Sequence, residues 1–352
     1  LDKNRKKVFE KSKVRGAQRI VFDLKKKGEI TFLTYNGKKE APPATGTRKE
    51  AVEVPSDYRD PSPFSFKKGD TVAILGNGLA DRMQHDGWTE TFLQSGLQGL
   101  DVSFRNMSLS GDRPNYHPRS KGFTPMDQYL QHVKADVVWA MFGYNESFSG
   151  PQETENHKKL LIDFVQKVRS YQPNGKDFPR IVLFSPIAFE DLKTPNLPRG
   201  KAHNRNLAAF AQATEKAAEE AGVAYVNLFD PTQKLYQSSK EPLTLNGVHL
   251  NELGNRKLGQ IIAQALLGTE VTDYGKLEDL RLAVLEKNLH WFNRYRATDG
   301  NDIWGGRSNL RFVDDQSNAE VLQHELVMRD VLTANRDKLI WATAQGKKYK
   351  VN

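Results

Sequence analysis

Thr71-Val-Ala-Ile-Leu-Gly-Asn-Gly-Leu-Ala-Asp-Arg-Met83 runs an apolar strand straight into a Gly-rich turn. Thr71–Leu75 has the short, uncharged character of a strand covered on both faces. The same pattern returns four times, at Val102–Met107, Asp136–Phe142, Arg180–Ser185 and Val223–Leu228. Helical periodicity fills the gaps at Asp86–Leu97, within Met126–Val133, at Gln152–Tyr171 and at Ala202–Ala221. Gly222 stands where a helix stop is expected, and Glu252–Leu267 reads as a closing helix. Strands alternating with helices predict an α/β domain: a flavodoxin-like, doubly wound, parallel five-stranded sheet. Functional loops of such a sheet leave the C-terminal ends of its strands.

Working outward, the expected domain spans 66–268. Residues 1–65 read as a basic arm and a linker holding Pro42, Pro43, Pro55, Pro61 and Pro63, with a possible strand pair at Arg19–Phe22 and Glu29–Tyr35. Residues 269–352 read as a helical extension with long helices at Leu277–Tyr295 and Asn318–Ala344. The apolar face of the second helix fits packing on the domain or a dimer seam.

The 352 residues carry a net charge of +9. Residues 1–50 hold 15 Lys/Arg against 6 Asp/Glu, while the other 302 hold 37 of each. The excess therefore belongs to the arm, and no nucleic-acid-binding face is expected on the main body. No apolar run is long enough to span a membrane. The absence of cysteine excludes disulfides, thiolate metal sites and a Cys nucleophile, and fits an exported protein.

Four features fall at the strand ends: Gly76-Asn77-Gly78 after the first strand, Asn106-Met-Ser-Leu-Ser-Gly-Asp112 after the second, Phe142-Gly-Tyr-Asn-Glu146 after the third, and Asn246-Gly-Val-His249 before the last helix. Each is an ordinary turn by composition; their order across one α/β domain is the signal. At these residues the chain resembles the SGNH/GDSL hydrolase family over roughly residues 68–268. The resemblance implies an ester hydrolase fold in which Gly111 and Asn145 are the oxyanion donors and His249 the base.

Two departures follow. The family's serine nucleophile falls on Gly78, and its acid falls on Asn246; Asn77 also replaces the family's first Asp. A nucleophile needs a hydroxyl that an imidazole can deprotonate, so ordinary acyl-enzyme chemistry at Gly78 is excluded. An amide can orient a histidine without balancing its charge; in another triad, Asp→Asn lowered the rate about 10⁴-fold.

Three functions stay open: a degenerate module that binds an acylated carbohydrate, an esterase working through a His249-activated water or through Ser108 or Ser110, and an interaction module of a larger exported protein. The expected ligand is a small-molecule or glycan ester. No cofactor and no metal are expected; the motifs lack a Walker loop, and the third Gly of a dinucleotide loop is missing. Asn77, Ser110 and Asp112 are candidate binding residues, and Arg113 and Tyr116 a candidate rim. Trp304 and Arg307, on the Gly-rich 299–308 loop, are candidates for stacking on a sugar and pairing with a carboxylate or sulfate.

Overall fold

The computed structural model describes residues 21–22, 32–33, 50–118, 123–268, 277–297, 303 and 305–351. One all-parallel sheet is built from β1 (Thr71–Gly76), β2 (Ser103–Asn106), β3 (Val137–Met141), β4 (Arg180–Phe184) and β5 (Ala224–Val226). Their order is β2-β1-β3-β4-β5, the doubly wound arrangement expected from the sequence. Successive side chains of β1 face opposite layers. Val72 and Ile74 pack with Phe92, Leu258 and Ile262, while Ala73 and Leu75 pack with Tyr129, Phe164 and Val165.

The helices are α1 (Gly78–Asp86), α2 (Trp88–Gly96), α3 (Met126–Val133), the single turn α4 (Tyr144–Ser147), α5 (Thr154–Ser170), α6 (Gly200–Ala221), α7 (Phe229–Ser238), α8 (Glu252–Leu267), α9 (Glu278–Arg296) and α10 (Asn318–Ala344). The helix expected over Asp86–Leu97 instead begins at Gly78 and is split at Gly87, whose φ of 72° ends α1. This shift matters, because it puts residue 78 in the first turn of a helix. The turn α4 and helix α7 carry no clear periodic signal. In α7, Pro231 lies within the first turn, where its missing N–H breaks no helical bond.

In the N-terminal part, Val21–Phe22 pairs antiparallel with Phe32–Leu33. From residue 50 the Pro-rich stretch is pinned to the domain. Val52 N–H donates to Ser170 O, and Asp60 N–H to Gly222 O, both at 2.8 Å. The fully buried Arg169 donates to Asp60 Oδ1 at 2.7 Å and to Ala221 O at 3.1 Å.

The edge strand β2 is covered by α9 and α10. Trp291 Nε1–H donates to Asn106 O at 2.7 Å, Lys287 Nζ to Phe104 O at 3.1 Å, and Trp341 Nε1–H to Val102 O at 2.9 Å. Arg105, pointing outward, pairs with Asp337 of α10. Side chains of the extension thus occupy carbonyls that an open edge would offer to another strand. Leu326 and Ile340 of α10 are buried within the chain.

Lys287 is the deepest of these contacts. Its ammonium also donates to Glu90 Oε2 at 2.6 Å and to Asn288 Oδ1 at 2.7 Å. Burial pushes the Lys287 pKa down and the Glu90 pKa up, each against the pull of its partner. Removing one partner of a pair buried this completely leaves the other charge without compensation. Lys287→Met alone should cost about 3–5 kcal/mol by leaving Glu90 buried and uncompensated, and Lys287→Met with Glu90→Leu should recover most of it in urea denaturation.

Candidate functional site

The C-terminal end of β1 leads through Asn77 into α1, placing Gly78 at the first position of the helix. A helix start leaves its first N–H groups without intrahelical partners, so the Gly78 N–H is an available donor. A Cβ added at Gly78 would meet nothing nearer than Ser110 Oγ at 3.7 Å, and its backbone is in the ordinary negative-φ range. The position therefore has room for the side chain it lacks. Asn77 is buried, and its Nδ2 has no hydrogen-bond partner.

The loop after β2 is tied to α1. Asp81 Oδ2 accepts from Ser110 Oγ–H at 2.9 Å and from Ser110 N–H at 3.2 Å. Asp81 Oδ1 is gripped by Arg296, at the end of α9, which also donates to Ser108 O at 3.1 Å. The next residue, Gly111, has a φ of +95°, a conformation L side chains rarely adopt. It is exposed, and its N–H is not engaged with any described residue. Ser108 is only 1% exposed and donates its hydroxyl to Ile74 O at 3.1 Å, so it is turned away from the crevice. The Ser110 hydroxyl is held by Asp81.

The third loop is the turn α4. Gly143 N–H donates to Glu146 Oε2 at 2.8 Å, so the Glu146 side chain caps the turn that carries Asn145. Glu146 is buried, and burial raises its pKa. Asn145 is half-buried, and its side-chain amide makes no hydrogen bond to a described residue. Gly78 N–H, Gly111 N–H and the Asn145 amide are thus three donors at adjacent C-terminal strand ends.

The fourth loop carries the histidine. Asn246 Oδ1 accepts from Val248 N–H at 3.2 Å and His249 N–H at 3.0 Å. These two donors fix the amide with its oxygen toward the ring, and His249 Nδ1 lies 3.1 Å from it. Nδ1 therefore carries the proton, and Nε2 keeps its lone pair. Burial first, and then the positive charge of Arg82, hold the His249 pKa below its ordinary value. A neutral imidazole in the tautomer of a base is the result.

This loop is itself anchored by Glu190, which the sequence gives no reason to single out. Its buried carboxylate accepts from Leu243 N–H at 3.0 Å, Thr244 N–H at 2.7 Å and Thr244 Oγ1–H at 2.6 Å. Asp81 and Arg296 were equally hidden, being 215 residues apart in sequence.

Of the other candidates, Asp112 is 1% exposed and lies inside the loop rather than on its rim. Arg113 is exposed, and Tyr116 is 60% exposed. Arg307 is exposed, and its carbonyl accepts from Leu310 N–H and Asn318 Nδ2–H. Trp304 lies outside the described residues. Among the described residues no three His, Asp or Glu side chains converge as metal ligands, and no helix is long and apolar enough to cross a membrane.

The contact between Asn246 and His249 can be checked directly. Asn246→Asp would set a carboxylate against Nδ1–H and favour imidazolium. In an NMR pH titration, His249 should titrate below its ordinary value in the wild type and about 1–3 units higher in the variant.

A model of the GDSL-like lipase/acylhydrolase family matches residues 73–257, more than half of the chain. Solved structures similar to it include a putative GDSL-like lipase from Parabacteroides merdae, at 18% identity and a TM-score of 0.43, covering 58% of this chain and 98% of that one. An aryl esterase from M. smegmatis matches at 18% identity and 0.43, covering 56% and 97%. A catalytic mutant of Axe2, an acetylxylan esterase from Geobacillus stearothermophilus, matches at 15% and 0.45, covering 60% and 100%. No curated protein matches the chain.

Proposed function

Because the chain belongs to the GDSL-like lipase/acylhydrolase family, we propose that it binds an acylated carbohydrate in a hydrolase site that is disarmed at residue 78. The observation that carries this reading is the pairing of an empty nucleophile position with an otherwise equipped crevice. Gly78 offers no hydroxyl, yet a Cβ there would meet nothing nearer than Ser110 Oγ at 3.7 Å. The loops at the same end of the sheet carry the Gly78, Gly111 and Asn145 donors, suited to an ester carbonyl, and a histidine whose Nδ1 is held by Asn246.

Chemically, the site can polarise an ester carbonyl and orient a base beside it. It cannot form an acyl-serine at residue 78, and Asn246 does not balance the charge of an imidazolium. In a serine protease stripped of its triad, the hole and binding alone leave about 10³–10⁴-fold over water. Binding therefore outlives turnover. The carbohydrate part of the reading is supported by Tyr116 at 60% exposure and Phe148 at 64%, aromatic rings on the Gly111 and Asn145 loops where a sugar face can stack.

The test is a repair. Gly78→Ser restores the hydroxyl, and Asn246→Asp gives His249 a carboxylate that can keep the same three hydrogen bonds. With p-nitrophenyl acetate, wild-type turnover should be indistinguishable from that of His249→Ala, and the double repair should be at least about 10²-fold faster. Strong wild-type turnover lost in His249→Ala would overturn the disarmed reading, and a repaired protein as slow as wild type would overturn the ester site itself.

A further inference from the structure

Among the described residues, two arginines at this crevice have no side-chain hydrogen-bond or ion-pair partner, whereas Arg105, Arg169, Arg180 and Arg199 do. Arg82 lies one helical turn after Gly78, and both are on the same face of α1. Helical side chains lean toward the N-terminus, so the Arg82 side chain leans back over the turn that begins at Gly78. Arg113 lies two residues after Gly111, in the tight turn closed by the Arg113–Tyr116 bridge. Both are exposed.

The charges sensed inside the crevice agree with this placement. Among the described residues, the positive charge of Arg82 helps hold the His249 pKa down after burial, and that of Arg113 works against the burial that raises the Glu146 pKa. The carboxylates nearby are already committed or hidden. Asp81 is held by Arg296 and Ser110, Glu146 caps Gly143, and Asp112 is buried. At the two positions where the family resemblance expects Asp, the chain has the neutral Asn77 and Asn246. Among the described residues of these loops, the accessible charge over the donors is therefore positive.

We propose that the ligand is an acidic glycan, whose carboxylate or sulfate group is held by Arg82 and Arg113 beside the Gly78, Gly111 and Asn145 donors. Guanidinium groups suit this role because their planar forks pair with oxyanions in two parallel hydrogen bonds. An unpaired guanidinium at the mouth also raises the local concentration of an anionic polymer. This inference rests on the ester-site reading above and narrows its ligand.

Isothermal titration of the wild-type protein would use three polymers: acetylated polygalacturonate, a sulfated galactan and acetylated xylan. At least one acidic polymer should bind about tenfold more tightly than the neutral xylan, and its affinity should fall when NaCl rises from about 50 to about 300 mM, which shortens the Debye length from about 14 to about 6 Å. Which acidic polymer wins distinguishes carboxylate from sulfate. Arg82→Ala with Arg113→Ala should lose about tenfold or more in affinity, and Arg82→Lys with Arg113→Lys should keep part of it. Both side chains are exposed, so circular dichroism should be unchanged. Equal binding of the neutral polymer, no binding of any polymer, or an unaffected double-Ala variant would overturn the proposal. The p-nitrophenyl acetate repair assay carries no glycan, so the ester-site reading stands or falls separately.

Discussion

The edge of a β-sheet is chemically unfinished, and the structure turns on how this one is completed. The outward carbonyls of the 103–106 strand need donors, and Lys287, Trp291 and Trp341 bring them from helices far along the chain. Docking those helices brings a buried ammonium with its carboxylate, a contact that tolerates little displacement. It also carries Arg296 to the carboxylate of Asp81, which holds the Ser110 backbone just before Gly111. Edge protection and the placement of the Gly111 loop are consequently one mechanical system. The helical extension is part of the wall of the crevice.

Within the crevice, side chains and backbone contribute differently. Residue 78 brings no side chain, and residue 246 brings an amide. The rest is mostly backbone: a helix start at Gly78, a left-handed glycine at 111 and a capped turn at 143–146. Glycine at the first position of a helix interrupts no hydrogen bond, so the surrounding frame stands without a side chain there. Asn246 illustrates the same division. Its oxygen makes the hydrogen bonds a carboxylate would make, and only the charge is absent.

Much of this was legible in the sequence. Apolar strands alternating with helices gave the layers and the strand order, because a sheet buried on both faces leaves that pattern whatever the loops do. The strand-end motifs at residues 76–78, 106–112, 142–146 and 246–249 were readable for the same reason: they are local. What escaped is non-local or aperiodic. Gly87 divides one expected helix into two, so periodicity placed its start at Asp86 instead of Gly78. The Pro-rich stretch from residue 50 reads as a linker by composition, yet the buried Arg169 and backbone hydrogen bonds from Val52 and Asp60 pin it. Arg296 and Asp81 meet across 215 residues, and no window along the chain spans that distance.

The separation of Arg105 from Asp337, 232 residues, has a further meaning when the chain is made in order. At about 5–20 residues per second, the edge strand is synthesised roughly 10–50 s before the helix that will cover it. For that interval the nascent chain carries the strand with no permanent neighbour on its outer side. The arrival of the helix pair ends that exposure, so protection of the edge waits on residues made long after the strand itself.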